Sequence, residues 1–196
     1  VITVAGGSAP TTINLAVTAD ADDAYDTGSG TGGQLTADRI FLSTGRYGGC
    51  IFRGANIPAG ATITAAQFKP YTNDAASAGH RIHVQLSATP AAFTTSVDDL
   101  RNRTLSSSYT SFASATLNTQ ESIDLVAPLQ EAVNTAGGLT DIAVLGVAVG
   151  TVSWTFYGVT HVQNHPALLS VTYTTGASTH ARSALNRASK LAGLVS

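Results

Sequence analysis

Charge is what this sequence has least of. Asp, Glu, Lys and Arg make up 11% of its 196 residues, under half of the ~25% usual for a globular domain. The formal net charge is −2, so no global field gathers nucleic acid and phosphate-backbone binding is not expected. A single cysteine, Cys50, excludes an internal disulfide. It stands in Gly49-Cys50-Ile51-Phe52, which predicts a small buried hydrophobe and not a reactive thiol. No run of ~18 apolar residues exists, so no helical membrane span is expected. A charged segment followed by an apolar one is missing from the start, so no signal peptide is visible. Methionine is absent throughout. With Val1 first, the expectation is that an initiator, a leader or a further segment was removed.

What is present reads as strands. Hydrophobic residues reach 43%, enough to bury about two-thirds of the unfolded surface. This length fits one all-β domain. Solubility then rests on Ser, Thr, Asn, Gln and Gly, which suits an extracellular or virion surface, or one partly hidden in an assembly. Ile13, Leu15 and Val17 alternate near the start, and Ala19 to Gly33 reads as loop. A strand is centred on Ile40 and Leu42. Arg81 to Ser87 alternates most cleanly, with Ile82, Val84 and Leu86 toward a core and Arg81, His83 and Gln85 toward water. Ala92 to Thr116 is a long polar connection with short strands near Leu105 and Tyr109. Residues 141–150, 152–158 and 167–174 are three further strands. The first is apolar on both sides and therefore central.

Phe52 to Phe68 reads as two strands around a tight Pro58-Ala59-Gly60 turn, a hairpin. Asp124 to Ala136 reads as a short helix. Asp124 serves as N-cap, Pro128 lies in the first turn and Gly137-Gly138 ends it. Its stripe is Val126, Leu129, Ala132 and Val133.

After Gly176 the composition changes, which divides the chain into a β-sandwich domain (1–176) and a helical tail (177–196). In the tail Ala181, Leu185, Ala188, Leu191 and Val195 recur at helical spacing, with Arg182 and Arg187 off that stripe. A helix this short is marginal alone. Its stripe calls for cover by the sandwich, by a partner or by a membrane surface. The partner is favoured, and those seven residues are the expected partner-binding set.

Chemistry-bearing residues are few. Asp20, Asp22, Asp23 and Asp26 place four carboxylates in seven residues. They form a candidate structural Ca²⁺ loop or, the favoured alternative, a solvated turn. His161 and His165 are four apart, but a strand connection ending in Pro166 does not present them as a helix would. Trp154 shares the parity of Val152 and Phe156 and is expected in the core. Tyr157 has the opposite parity and, with Tyr71, is a candidate ligand platform for sugar rings. No nucleophile elbow appears, and Asp98, Asp99 and Glu121 lie in polar connections, so catalysis is not expected.

Several segments, in order, resemble the DNRLRE-like, carbohydrate-binding-module-like family of bacterial and phage β-sandwich modules. These are Ala21-Asp22-Asp23-Ala24, Phe52-Arg53 with Ile57-Pro58-Ala59-Gly60-Ala61-Thr62-Ile63, Ile82-His83-Val84-Gln85 with Phe93, Asp124 to Val133, and Ala167 to Tyr173. The resemblance spans residues 16–174 and implies an antiparallel, jelly-roll-like sandwich in an adhesive, sugar-binding or phage structural protein. That family's Trp-containing loop after the Phe93 region is not recognisable, and the basic tail is no part of the module. The expectation is a non-enzymatic, homo-oligomeric structural protein of a phage virion surface, of the capsid cement, decoration or head-fibre type. Its partners would be other virion proteins. The alternative is an extracellular carbohydrate-binding or adhesion module whose partner is a glycan.

Overall fold

A computed structural model of the chain describes residues 8–74, 79–112, 114–163 and 165–176. The tail helix expected over 177–196, with Ala181, Arg182, Leu185, Arg187, Ala188, Leu191 and Val195, lies outside the described residues.

The alternating segments form strands β1 (Thr11–Ala16), β2 (Asp23–Asp26), β3 (Gly33–Gln34), β4 (Arg39–Ser43), β5 (Tyr47–Phe52) and β6 (Thr62–Lys69). They continue with β7 (His80–Val84), β8 (Thr110–Phe112), β9 (Ile123–Asp124), β10 (Ile142–Ala148), β11 (Ser153–Tyr157) and β12 (Leu168–Thr174). One α-helix, α1 (Val126–Ala136), follows β9. The protein is an all-β sandwich. One sheet runs β1-β12-β6-β9 and the other β3-β2-β5-β10-β7-β8, while β4 and β11 make a separate ribbon. The eight strands β1, β5, β6, β7, β8, β9, β10 and β12 pass between the two sheets in the order of a double Greek key, the jelly-roll path.

Two strand expectations are corrected. Phe52 to Phe68 is not a hairpin, because β5 and β6 belong to different sheets. The tight turn itself forms: Ala61 N–H donates to Pro58 O at 3.2 Å, and Gly60 has φ 71°. Turn chemistry sets a bend, but burial chooses a strand's partner. Phe52 and Phe68 reach the same core from opposite sheets, and Ile57 between them bridges to Leu139. Ala19 to Gly33 is likewise not all loop, since it contains β2, paired to β5. Its carboxylates concealed a strand that buries Asp23, Ala24 and Asp26.

The main core lies between the sheets. Phe68, Leu169 and Val171 meet Phe52, Ile82, Val84, Ile142 and Val144, and the cluster also takes in Leu129 and Val133 of α1 and Trp154 and Phe156 of β11. A second cluster of Ala24, Ile51, Phe93, Leu100, Ala143 and Leu145 uses the alternate residues of β5 and β10. Those residues point to the opposite side of the six-stranded sheet. β10 is therefore covered on both faces, as its double-sided apolarity predicts.

Helix α1 carries Pro128 in its first turn and ends at Gly137 (φ 72°), whose N–H donates to Val133 O. Leu125, and not Asp124, holds the N-cap position; Asp124 Oδ1 instead accepts the Val126 N–H at 2.9 Å. The polar face of α1 fastens the start of β6 and the loop before β8. Gln130 Oε1 accepts the Ile63 N–H at 2.7 Å, and Glu131 accepts the Ser107 and Ser108 N–H groups at 2.7 and 2.8 Å. These amide donors hold the Glu131 carboxyl down at about 2.

The ribbon sits in a notch. Gly48 and Gly146 are partners across β5 and β10. A Cβ on Gly146 would lie 2.4 Å from Leu42 Cδ1, and one on Gly48 2.7 Å from Ile40 Cγ2. The missing side chains thus make room for β4. Gly146→Ala should lower stability by about 1–3 kcal/mol through overpacking, read as a lower urea midpoint. Gly54→Ala, with nothing within 4 Å of its Cβ but φ 76°, controls for backbone strain alone. An unchanged midpoint for Gly146→Ala would remove the notch as the device that seats β4.

Candidate functional site

The acidic segment is neither an ion cage nor a solvated turn. Asp20 is exposed, but Asp22, Asp23 and Asp26 are buried. Each turns to a different partner. Asp22 Oδ1 accepts from Arg53 Nε at 3.0 Å and from Arg53 Nη2. Asp23 Oδ2 accepts the Val159 N–H at 2.6 Å. Asp26 Oδ1 accepts the Tyr47 N–H and Arg101 Nη2, both at 3.0 Å. Among the described residues no group of three or more His, Cys, Asp or Glu is placed to hold a metal ion. Of the candidate Ca²⁺ ligands, Asp20 and Asp22 lie on a single 3-10 turn before β2, while strand alternation turns Asp23 and Asp26 to opposite faces of β2.

Asp23 has the most perturbed environment of the four. Its Oδ1 is buried and accepts no hydrogen bond. Burial pushes its carboxyl from the ordinary 3.8 up to about 7, helped by Asp20 and Asp22 and opposed by the Val159 N–H. Burial first, and then Asp23 and Asp22, push the Cys50 thiol well above its usual range. Cys50 is thus the inert buried residue its neighbours predict.

Three arginines that sequence inspection passed over organise this region. Arg53 Nη1 donates to Pro90 O at 2.8 Å and to Asp141 Oδ2 at 3.1 Å, while Asp141 Oδ1 accepts the Gly54 N–H. Arg101 lies over the Tyr47 ring, with Nε 2.9 Å from Asp26 Oδ2. Arg103 lies over the Phe93 ring and donates to Ala91 O, Ala92 O and Gln85 Oε1. The available signal was scarcity. In a chain with only ten Lys and Arg residues, cations beside buried strands and acidic runs are ion-pair candidates. The carboxylates weighed for catalysis fasten loops too: Asp98 and Asp99 accept the Gly30 and Thr94 N–H groups, and Glu121 accepts that of Thr116.

The ligand platform is corrected. Tyr157 is 4% exposed, because β11 is covered on both faces and strand parity no longer selects an outer side. Its N–H donates to Tyr71 O at 2.9 Å. His165 stacks on half-buried Tyr71 (centroids 4.2 Å, 7° between planes), and His161 on Tyr157 (3.6 Å, 6°). Both tyrosine hydroxyls donate to Asn118, Tyr71 to its carbonyl and Tyr157 to its side-chain oxygen. Tyr71 and Tyr157 stack in turn on each other (5.4 Å, 15°), so the four rings form one continuous stack. Trp154 is fully buried, as expected. His83 is half-buried, with Nδ1 2.9 Å from Ser106 O, and not simply solvated.

The outer face of the four-stranded sheet is polar and nearly uncharged. Thr12, Asn14, Gln67, Lys69, Asp124, Ser170 and Thr172 line it, with Thr12 and Thr172 hydroxyls 2.9 Å apart. A shallow hollow of about 180 Å³ opens among Asn14, Ala16, Lys69 and Leu168. Another of about 370 Å³ lies beside Gln85, Asn102 and the Asp99–Arg103 pair. No family model matches this chain, and no curated protein matches it.

Asp23 gives this region a pH signature. Below about pH 4 the carboxyl is protonated in folded and unfolded chains alike. From there to about pH 7 the unfolded chain releases its proton first, so stability falls as pH rises, and it levels off above. Asp23→Asn removes this loss. The variant should match the parent near pH 4 and exceed it by up to about 4 kcal/mol above pH 7. Urea titrations across that range check it, and parallel pH profiles for the two proteins would refute the assignment.

Proposed function

We propose that this chain is a non-enzymatic structural module of a virion surface, of the capsid cement, decoration or head-fibre type, which stabilises an assembly through subunit contacts. The observation that carries this reading is the outer face of the four-stranded sheet, neutral and hydroxyl-rich, ending at a long open strand, β1. Such a surface suits broad contact with like neighbours and meets little electrostatic repulsion. The buried acidic groups support the same reading, since Asp22, Asp26 and Asp141 are bound to arginines or loop amides. Jelly rolls are also a recurrent architecture of capsid domains. In the tail, the stripe Ala181, Leu185, Ala188, Leu191 and Val195, flanked by Arg182 and Arg187, supplies a second contact by its sequence pattern.

Jelly rolls equally form lectin domains, so a secreted carbohydrate-binding or adhesion module is the competing reading. It has lost Tyr157 to the interior, and one face of Tyr71 is covered by His165.

Labelled full chain, chain ending at Thr175 and Tyr71→Ala are compared for co-sedimentation with virus particles of the source and for retention on a glycan array. The full chain and Tyr71→Ala should sediment with particles. The shortened chain should keep its melting temperature and lose attachment. Glycan retention abolished by Tyr71→Ala, without particle attachment, would replace this reading by the carbohydrate-binding one.

A further inference from the structure

We propose that two copies of this chain join edge to edge through β1, merging their four-stranded sheets across a two-fold axis. The proposal deepens the assembly reading and rests on it, since it names one of the contacts. It starts from the unequal ends of the two large sheets. The ends formed by β3, β8 and β9 are two, three and two residues long, which blunts them. β1 is six residues long and, among the described residues, pairs only with β12. Its sequence Thr-Thr-Ile-Asn-Leu-Ala has no charge or proline, and its register with β12 runs without a bulge. The usual devices against edge pairing are therefore missing where the edge is longest.

The hydrogen-bonding direction follows from the ladder. Val17 N–H donates to Ala167 O at 3.1 Å. Antiparallel bonding alternates every second residue, so Thr11, Ile13 and Leu15 bond to β12. Thr12, Asn14 and Ala16 then turn their N–H and C=O groups to the open side. The core is also incomplete along this edge. Ile13 and Leu15 are only partly buried, whereas their β12 partners Val171 and Leu169 are fully buried. Antiparallel pairing of β1 with a second β1, centred on Asn14, faces the outward amides of the two strands. It also sets Ile13 of one copy against Leu15 of the other, closing the exposed side of the core.

The occupant is a second copy because the strand is complementary to itself. No residue from Ser8 to Ala19 is charged, so two-fold pairing opposes no like charges. Each strand offers the same apolar inner side and the same Thr and Asn outer side.

Light scattering and sedimentation velocity on the full chain at micromolar concentration test this. Asn14→Pro removes one outward N–H and no bond to β12, as an edge strand tolerates. Asn14→Lys sets like charges on the axis. The parent should have dimer mass and both variants monomer mass, with melting temperatures close to the parent's. Under mild oxidation Asn14→Cys should form an interchain disulfide rapidly, whereas Thr64→Cys, exposed on β6 of the same sheet, should not. Should Asn14→Pro unfold, Asn14→Lys and the cysteine pair decide. A monomeric parent, or a dimer indifferent to Asn14→Pro and Asn14→Lys, overturns the edge contact. Particle attachment by a monomeric parent would sink this proposal and leave the assembly reading standing. A β1 dimer that ignores particles would do the reverse.

Discussion

Guanidinium groups pin the outer layer of this protein to its sheet. The connection between β7 and β8 has little regular structure of its own, yet it covers the second hydrophobic cluster with Phe93 and Leu100. Arg53 holds it at Pro90 while gripping Asp22 and Asp141, and Arg103 holds it at Ala91 and Ala92. Arg101 ties the same connection to β2 through Asp26. A buried charge is tolerable only while its partners are complete, and truncating one side of such a pair costs about 3–5 kcal/mol. The chain carries few charges, and it places Arg101 and Arg103 where water is largely excluded while Arg53 is half-buried over Asp22.

That placement leaves the opposite face with little charge, Lys69 and Asp124 being its charged residues among those described. The four-stranded sheet presents hydroxyls and amides, and its β1 end keeps backbone groups unanswered among the described residues. The molecule is thus lopsided: one sheet is overlaid and tied down, while the other presents an open face. The carboxyl shifted furthest upward, Asp23, is sealed against the Val159 amide.

Much of the fold was legible because burial is one-sided in most strands. The alternation in β7 and β12, the double-sided β10, and the stripe and glycine stop of α1 all correspond to elements found. Legibility failed where a residue's role depends on distant partners. Asp23 and Asp26 read as loop because a carboxylate in a strand makes sense only beside Arg101 or an amide from residue 159. Tyr157 read as outward because parity assumes one wet face, and Tyr71 and His161 cover the second. The Pro-Ala-Gly bend was right and its partner wrong, since nothing local to residues 52–68 says that two sheets meet there. The platform fared worst for the same reason, and the acidic loop's ion pairs required Arg53 and Arg101, which lie 31 and 75 residues away from their aspartates.

The register of β1 against β12 also governs when the fold can close. Thr11 lies opposite Tyr173, so β1 is matched by β12, the most distant in sequence of the described strands. Until residues near 174 leave the ribosome, β1 has no template, and the half-made sheet exposes Phe68 and Ala66 along an unfinished flank. Loop closure on that scale is slow relative to local helix or hairpin formation. Productive folding of this sandwich therefore waits for β12, and a nascent chain stalled before that strand is the species most prone to stick to its neighbours.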